Sequence, residues 1–351
     1  MTETELITNP TKIEQSSFLA ACRSGNSGKL PLWVMRQAGR YLPEYQAVRE
    51  KVSFMELCRS PNLMAEVTEQ PVRRFGFDAA IMFSDILPIL EGFGLELSFP
   101  GGGPKLVPQL GDPREVEKLT EYDVAGKLAF VYDGVREIKK RMPDIPLIGF
   151  AGSPWTLACY AIEGGSSPNF NSARKFIHRY PGAARKLLEM ITEATSIYLA
   201  GQIKAGVDAI QIFDSCAGVL AHDDYRDWSL KYIVRIFESL TNTGVPRILF
   251  VNNLAPYVDL IRDVDCEVVG VDYRMKLSEA EASLPGKALQ GNFDPTALFA
   301  PPETVAARVT TMLESIKDHS RLIVNLGHGI LPQTPLESVS ALVETVHSFN
   351  R

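Results

Sequence analysis

Short apolar runs alternate with longer segments of helical periodicity along most of this 351-residue chain. The apolar runs are nearly continuous, which is typical of strands covered on both faces of a parallel sheet. The eight predicted strands span residues 30–35, 78–83, 145–150, 207–213, 247–252, 267–272, 287–292 and 321–327. This alternation predicts successive βαβ units, arranged either as a closed barrel or as a doubly wound open sheet.

The segments between the apolar runs repeat with the period of an amphipathic helix. In residues 184–205, for example, Leu187, Ile191, Ala194 and Tyr198 share one helix face. The predicted helices span residues 61–75, 122–142, 184–205, 223–240, 254–263, 302–317 and 335–348.

Polar or small residues follow almost every apolar run. These residues are Arg36, Ser84, Asp85, Gly152, Ser153, Asp214, Ser215, Asn252, Asn253, Asp272, Asn292, Gly327 and His328. In a barrel the strand ends converge on one rim, where such folds build their active sites, whereas an open sheet spreads them out. We therefore predict an α/β fold, a single-domain (β/α)8 TIM-like barrel with extended loops over residues 1–351, with about ten flexible residues at the N-terminus.

Composition and charge exclude several classes of function. Hydrophobic residues at 45% and charged residues at 22% indicate a folded globular chain. The net charge of −6 gives no overall positive field for nucleic acid or a membrane surface. The N-terminus is polar, and no apolar run approaches the ~20 residues that span a bilayer, so we expect a cytoplasmic protein. Five scattered cysteines without a C-x-x-C pair are expected to be reduced thiols.

The densest cluster of candidate functional residues, R-Q-A-G-R, follows the first apolar run. Arg36 and Arg40 can each meet a carboxylate or phosphate through two N–H donors, which suits a substrate with several anionic groups. Alternatively, they pair with Glu44 and Glu50 on an exposed turn. Their position at a strand end beside Gly39 favours the functional interpretation.

Asp85 ends the second apolar run among apolar neighbours. A carboxyl group in such surroundings is paired, protonated or poised for a ligand. Capping of the following helix is an equally good interpretation, and only the polar residues on the same rim favour function. Residues 149–157 read as a strand, a turn and a helix start with Pro154, which could receive an anion. Tyr160, farther along that helix, has the position typical of a half-buried core residue.

Two further strand ends carry candidate chemistry. Asp214 and Ser215 end the fourth run, and His328 lies between Gly327 and Gly329 after the last one. Because histidine titrates near neutrality, His328 can exchange a proton in the working range, and a helix-capping role is the weaker alternative. The other histidines have contexts typical of the surface: His178, His222, His319 and His347.

Motifs of metal, nucleotide and serine-hydrolase chemistry are absent from the sequence. It contains no H-E-x-x-H, C-x-x-C or H-x-C element, no P-loop and no G-x-S-x-G. The residues therefore predict an enzyme that works through arginine, aspartate, tyrosine and histidine, without a metal or cofactor.

Five blocks of the sequence together resemble the uroporphyrinogen decarboxylase family. These blocks are PLWVMRQAGRYLPEYQ (31–46), FSDIL (83–87), GFAGSPWTLACYAIEGG (149–165), QIFDSCAG (211–218) and NLGHGI (325–330). The resemblance implies a distorted (β/α)8 barrel and a homodimer without cofactor or metal. It also implies that the acetate side chains of uroporphyrinogen III are decarboxylated to methyl groups, giving coproporphyrinogen III in tetrapyrrole (haem and chlorophyll) biosynthesis.

The same resemblance assigns roles to individual residues. It implies that the loop from Arg36 to Arg40 binds substrate carboxylates and that Asp85 receives the pyrrole N–H groups. The implied substrate-binding set is Arg36, Gln37, Ala38, Gly39, Arg40, Asp85, Tyr160, Ser215 and His328. The implied catalytic set is Asp85, Arg36, Tyr160 and His328. Cys216 departs from the family pattern, since some relatives carry histidine there, but it only flanks Ser215.

The sequence leaves the proton donor and two other functions open. Arg36 is a poor acid because the pKa of arginine exceeds ~12, and His328 and Tyr160 are the conventional donors. A corrinoid- or cobalamin-dependent methyltransferase would share the barrel, but the H-x-C element of its zinc site is missing. A non-catalytic tetrapyrrole carrier would need the same arginines and aspartate. A purely structural barrel leaves the polar strand ends unexplained.

Overall fold

A computed structural model describes residue 13 and residues 15–26, 28–119 and 123–350. The N-terminal residues predicted to be flexible lie outside this described part of the chain. All five cysteines are buried free thiols. In the described residues, no helix is both long enough and apolar enough to cross a bilayer.

A curled parallel sheet of seven strands forms the centre of the molecule. Its order is β1-β4-β5-β6-β7-β8-β9, and β2 pairs with β3 in a separate antiparallel hairpin. The strands of the described chain are β1 (Ala80–Ile81), β2 (Glu96–Ser98), β3 (Lys105–Val107), β4 (Leu147–Gly152), β5 (Ala209–Asp214), β6 (Arg247–Val251), β7 (Val268–Val271), β8 (Ala288–Phe293) and β9 (Leu322–Leu326). Every residue of the seven sheet strands is buried, as their apolar runs predict.

The predicted first strand, residues 30–35, is not a strand, so the structure differs from the predicted closed eight-stranded barrel. Only Leu32 pairs, in a single parallel bridge with Val324 of β9. The segment does not form a strand because several of its backbone N–H groups donate to side chains. The N–H of Leu32 donates to the side chain of Asp78 at 2.9 Å, and that of Met35 donates to the side chain of Asn325 at 2.9 Å. Side chains thus take two of the N–H donors that a continuous backbone ladder would use, and only a few backbone hydrogen bonds join the segment to its neighbours.

Helices cover the sheet between its strands. The described chain contains α1 (Ser17–Arg23), α2 (Pro43–Arg49), α3 (Phe54–Arg59), α4 (Pro61–Phe75), α5 (Pro113–Glu117), α6 (Val124–Lys127), α7 (Ala129–Arg141), α8 (Pro154–Glu163), α9 (Asn171–Arg179), α10 (Pro181–Ala205), α11 (His222–Tyr225), α12 (Lys231–Leu240), α13 (Val258–Arg262), α14 (Leu277–Ser283), α15 (Pro302–Glu314) and α16 (Leu336–Ser348). The long predicted helices are confirmed, although α6 and α7 divide the predicted segment 122–142. A π-helical turn, Arg226–Leu230, separates α11 from α12.

A glycine in β4 allows α10 to clamp the sheet. A Cβ atom on Gly149 would collide with Oε1 of Gln202, a fully buried residue of α10. That oxygen accepts the N–H of Phe150 at 2.8 Å, and Nε2 of Gln202 donates to the carbonyl of Phe150 at 2.9 Å. The bare backbone at Gly149 therefore leaves room for a side-chain clamp on β4.

We predict that Gly149→Ala lowers the free energy of unfolding by about 1–3 kcal/mol, because the added methyl group overpacks the clamp. Urea unfolding followed by circular dichroism measures the loss. Gly182→Ala in α10 is the matched control, since no atom lies within 4 Å of the new methyl group. The control should match the wild type or gain up to about 1 kcal/mol. Equal stability of the two variants would contradict the clamp.

Candidate active site

The carboxyl ends of the parallel strands bring polar residues to one edge of the sheet. Asp85 follows β1, Ser215 follows β5, His328 follows β9, and Tyr160 lies on α8 after β4. Burial raises the pKa values of Asp85 and Tyr160 and lowers that of His328, and the charge of Arg36 lowers all three. One guanidinium can influence all three groups only if each of them lies near it. The four residues that the sequence predicts as catalytic are therefore close to one another.

Arg36 has an unusual backbone conformation, with a φ of 64°. A non-glycine residue in this left-handed region costs about 1–3 kcal/mol unless its surroundings fix it. Met35 supplies that fixation, because its N–H donates to Asn325 at 2.9 Å and its carbonyl accepts the N–H of Ile330 at 2.9 Å. The side chain of Arg36 lies against Gly329, where any Cβ atom would collide with it. The loop thus fixes the backbone of Arg36 and the course of its side chain past Gly329.

Gln37 lies beneath this loop and is fully buried. Its Oε1 accepts the N–H of Val34 at 3.0 Å, and its Nε2 donates to the carbonyl of Ala79 at 3.2 Å. The Gln37 side chain therefore ties the loop to the start of β1. It presents no surface to a substrate, unlike the exposed side chain of Arg36 before it.

The rest of the loop is compact and open to solvent. A Cβ atom on Gly39 would lie 2.9 Å from the carbonyl oxygen of Arg36, so this tight turn needs glycine. Ala38 and Gly39 are partly exposed and Arg40 is exposed. The carbonyl of Arg40 accepts the side-chain amide of Gln46 at 2.6 Å. Both arginines of the loop are therefore accessible from outside.

The alternative in which these arginines are neutralised by local glutamates does not describe the structure. Glu44 pairs instead with Arg74, through both Nε and Nη2. Neither Arg36 nor Arg40 lies within ion-pair distance of any carboxylate in the part of the chain that the structure describes. Their positive charge is available to a ligand.

Asp85 both caps the helix that follows it and lies near a candidate ligand-binding group, so both interpretations of its sequence apply. Its Oδ1 accepts the N–H of Leu87 at 2.9 Å, at the start of the 3-10 helix Leu87–Phe93. Burial raises the pKa of this carboxyl group, while the N–H of Leu87 and the charge of Arg36 lower it. The burial effect is the largest. Asp85 is thus a desolvated carboxyl group beside a guanidinium.

Tyr160 lies on α8, partly buried, with its ring packed edge-on against Phe170 at a centroid distance of 5.4 Å. Burial raises its pKa to about 12, and the neighbouring Cys216 and Asp85 add to the increase. The hydroxyl group therefore keeps its proton throughout the physiological range.

His328 is held between two glycines that other residues approach closely. A Cβ atom on Gly327 would collide with the backbone of Tyr273, the residue that follows Asp272. Burial lowers the pKa of His328 to about 4, and the charges of Arg36 and Arg274 contribute to the decrease. The imidazole is therefore neutral at pH 7 and acts as a neutral hydrogen-bonding group.

Asp214, the other acid at a strand end, has a structural environment. It is fully buried and accepts hydroxyl hydrogen bonds from Ser153 at 2.6 Å, Thr156 at 3.1 Å and Ser229 at 2.7 Å. Burial raises its pKa and these hydroxyl groups lower it. The network joins the end of β5 to the start of α8, which carries Tyr160.

Ser215 lies partly buried at the end of that network. Its carbonyl oxygen accepts Nδ2 of Asn252 at 3.0 Å. The next residue, Cys216, donates its N–H to Thr156 at 3.1 Å and accepts the indole N–H of Trp155 at 3.1 Å. Ser215 is thus fixed relative to both α8 and the end of β6.

Arg274 is a polar residue near the site that the sequence analysis does not single out. Its charge acts on His328, and it sits two residues beyond the buried Asp272 at the end of β7. The feature of the sequence that could have identified Arg274 is a cationic residue just past the end of a predicted strand. In the described residues, no three His, Cys, Asp or Glu side chains are grouped so that they could hold a metal ion.

Solved structures with the same fold come from other enzymes. A methyltransferase from Methanosarcina mazei has a TM-score of 0.79 at 22% identity, covering 95% of this chain and 97% of that one. A B12-independent methionine synthase from Shewanella sp. W3-18-1 has a TM-score of 0.59 at 14% identity, covering 91% and 96%. At these identities the likeness concerns the fold alone.

Sequence comparisons are more specific. The family model described as "Uroporphyrinogen decarboxylase (URO-D)" matches residues 14–349. A uroporphyrinogen decarboxylase of Anaeromyxobacter dehalogenans is 44% identical over 340 residues, which cover 95% of this chain and 98% of that protein. One from Acidovorax sp. is 44% identical over 361 residues, covering 97% of each. The chain therefore belongs to the uroporphyrinogen decarboxylase family.

Proposed function

We propose that this chain is a uroporphyrinogen decarboxylase, which converts the acetate side chains of uroporphyrinogen III into methyl groups and releases coproporphyrinogen III for tetrapyrrole biosynthesis. The observation that carries this proposal is the carboxyl group of Asp85, whose pKa burial raises, near the guanidinium of Arg36, which has no ion-pair partner in the described part of the chain. One group suits the pyrrole N–H donors of the substrate, and the other suits its carboxylates.

The reaction needs an electron sink, because an acetate on a pyrrole has no β-carbonyl group. Protonation of the neighbouring ring carbon, which lies between the carbon that bears the acetate and the pyrrole nitrogen, turns the ring into a cation whose charge is shared by the nitrogen and the acetate-bearing carbon. The C–CO2 bond then breaks and its electron pair flows into the ring, leaving an exocyclic methylene group. That carbon takes up a proton to become methyl, and the ring carbon loses its added proton. The substrate itself thus supplies the sink, and no cofactor or metal is required.

Asp85 assists these reaction steps by stabilising the cation. A desolvated carboxylate that accepts the pyrrole N–H groups interacts strongly with positive charge that develops on those nitrogens. In water the same carboxylate would be screened and would have to reorganise. Holding it in place beforehand lowers the barrier to ring protonation.

The R-Q-A-G-R loop binds and orients the substrate. Arg36 and Arg40 hold side-chain carboxylates, while Ala38 and Gly39 keep the loop slim enough for the macrocycle to approach. Gln37 acts from below, as the clamp that fixes the loop. The arginine nearest the reacting acetate must not stabilise that carboxylate more than the transition state, and we assign Arg36 to that place.

The other residues of the site act as uncharged groups at neutral pH. Tyr160 keeps its hydroxyl proton, since its pKa is about 12, whereas His328 carries a positive charge only below about pH 4. We therefore assign His328 to substrate binding as a neutral imidazole and keep Tyr160 as a candidate proton donor. Ser215 completes the substrate-binding set.

We also propose that the chain is a cytoplasmic homodimer with a distorted (β/α)8 barrel. The resemblance to the family supports the dimer. For the barrel, the support is that segment 30–35 lies between the two edges of the sheet. Leu32 bridges to β9, and its carbonyl accepts the N–H of Asp78, just before β1, at 2.9 Å.

The function is tested by anaerobic incubation of the EDTA-treated protein with uroporphyrinogen III, followed by oxidation to porphyrins and mass spectrometry. We expect a ladder of products, each lighter by one CO2, that ends at coproporphyrin. Tight binding without loss of mass would identify a carrier instead. Absence of both binding and turnover would overturn the proposal.

We predict that Asp85→Asn lowers kcat/KM by about 100-fold or more, because the variant cannot stabilise the cation. The same variant should melt at an equal or higher temperature than the wild type at pH 7. Burial raises the folded-state pKa of Asp85, so its ionisation costs stability as the pH rises through that pKa, and asparagine escapes this cost.

Asp318→Asn is the matched control for Asp85→Asn. Asp318 accepts the N–H of Ser320, two residues on, at 2.9 Å, the same arrangement as Asp85 and Leu87, but it precedes β9 at the other end of the sheet. Hydrogen bonds from Ser320 lower the pKa of Asp318, so the control should lose some stability at pH 7 and keep full activity. Near-normal turnover by Asp85→Asn would end the role assigned to that residue.

The pH dependence of kcat/KM distinguishes whether Asp85 or His328 is the group that titrates. We predict an acid limb above the ordinary pKa of aspartate, because burial raises the pKa of Asp85 and protonation removes the required anion. His328→Gln should leave the position of this limb unchanged, since His328 is already neutral above about pH 4. A limb that shifts or vanishes in His328→Gln would assign the titration to the histidine.

Substitution of Arg36 by glycine and by alanine distinguishes the effect of its backbone conformation from the effect of losing its side chain. Both Arg36→Gly and Arg36→Ala should lose activity, but Arg36→Gly should be more stable than Arg36→Ala by about 1 kcal/mol, because glycine adopts a φ of 64° without a penalty. Chemical unfolding measures the difference. The exposed Arg136, within α7, gives the reverse order as a control, with alanine the more stable by about 1 kcal/mol. The same order at both positions would refute the backbone strain.

A further inference from the structure

An arginine at the end of β7 has no role in the mechanism proposed above. Nη1 of Arg274 donates to Oδ1 of Asn252 at 3.0 Å and to Oδ1 of Asp272 at 3.2 Å. Asp272 is fully buried and also accepts the backbone N–H of Leu254 at 2.7 Å. One face of the guanidinium covers the ring of Tyr273, with Cζ 4.4 Å from the ring centroid. Three contacts therefore fix the orientation of this group.

The fixation leaves the other edge of the guanidinium open. Both hydrogens of Nη1 are used, whereas Nε and Nη2 of Arg274 make no hydrogen bond within the described chain. The side chain as a whole is 44% exposed to solvent. The Nε–Nη2 edge is a fork of parallel N–H donors that matches a carboxylate. Asp272 and Asn252 thus orient the arginine without occupying its fork.

Two structural links place Arg274 beside the candidate active site. The backbone of Gly327 lies directly against Tyr273, so the residues that follow them, His328 and Arg274, belong to adjacent segments of the chain. The charge of Arg274 acts on His328 together with burial and the charge of Arg36. The arginine therefore lies next to a residue of the proposed substrate-binding set.

The second link runs through Asn252. Its Oδ1 accepts a hydrogen bond from Arg274, and its Nδ2 donates to the carbonyl of Ser215 at 3.0 Å. A single amide side chain therefore sets the position of the arginine relative to Ser215. The chain Ser215–Asn252–Arg274–Asp272 crosses the carboxyl ends of β5, β6 and β7.

We propose that Arg274 binds a side-chain carboxylate of the tetrapyrrole substrate through its Nε–Nη2 edge, on the part of the site formed by β6, β7 and His328. This inference rests on the proposed function, since it names a further binding residue of the same site. The substrate carries acetates and propionates around a whole macrocycle, more carboxylates than Arg36 and Arg40 can bind. In a chain of net charge −6, such an anion needs local cations. Arg274 supplies one that is already oriented.

The test compares Arg274→Gln and Arg274→Lys with a matched control in steady-state assays. We expect Arg274→Gln to raise the KM for uroporphyrinogen III by about 10- to 100-fold with kcat within about threefold of wild type, because charge-assisted binding is lost. Arg274→Lys should recover only part of the affinity, since an ammonium group has no fork. Arg114→Gln is the control: Arg114 also follows an aspartate by two residues and bonds to it through its N–H and guanidinium, but it is 84% exposed at the start of α5. Its KM should not change.

Inhibition by coproporphyrinogen III, which has propionates but no acetates, identifies the carboxylate. If Arg274 binds a propionate, the inhibition constant rises in parallel with KM in Arg274→Gln, and if it binds an acetate, the constant is unchanged. An unchanged KM in Arg274→Gln, or a loss of kcat and melting temperature without a change in KM, would overturn the inference while wild-type turnover still supports the function. Lack of turnover by the wild type would instead overturn the function.

Discussion

The charge of Arg36 beside the desolvated carboxyl group of Asp85 is the interaction on which the rest of the site depends. Burial alone would drive Asp85 to its neutral form, which could not stabilise a cation. The guanidinium and the N–H of Leu87 act in the opposite direction. The same guanidinium also lowers the pKa values of Tyr160 and His328, although burial is the largest influence on both.

That position is secured by buried polar side chains that bind backbone instead of substrate. Asn325 and Gln37 hold the loop on which Arg36 adopts its left-handed conformation. Asp214 gathers hydroxyl groups that join β5 to α8, and Gln202 clamps β4 to α10. Gln37, Gln202 and Asp214 accept or donate several hydrogen bonds within the protein, so they make the framework rigid at little desolvation cost, whereas Nδ2 of Asn325 has no partner in the described part of the chain. The ligand-binding groups are left to face the open end of the sheet.

Much of this arrangement could be predicted from the sequence, because apolar runs mark buried strands and polar residues mark their ends. The fate of segment 30–35 could not, since its hydrogen bonds go to Asp78 and Asn325, and Asn325 is distant in sequence. In the sequence, Asp85 and Asp214 occupy the same kind of position, at the end of an apolar run. Only the hydroxyl groups that surround Asp214 in three dimensions distinguish this structural acid from Asp85, which lies near an arginine without an ion-pair partner among the described residues.

Gln37 and Arg274 show in two different ways that the local sequence does not determine the role of a residue. Gln37 lies within the motif that suggests substrate binding, yet its side chain is fully buried beneath the loop. Arg274 belongs to an unremarkable D-Y-R sequence, yet Asn252 and Asp272 hold its guanidinium beside the site. In both cases the partners that decide the role come from other segments of the chain. Local sequence patterns do not contain that information.

The titration of Asp85 itself shows whether this residue is a buried carboxyl group near a cation. Carbon-13 NMR of protein labelled at the aspartate side-chain carboxyl carbons, compared between wild type and Asp85→Asn, isolates the signal of this residue. We expect a resonance, present only in the wild type, that titrates above the ordinary pKa of aspartate, because burial is the largest influence on it. A signal that titrates at or below the ordinary value would show that burial does not dominate the environment of Asp85.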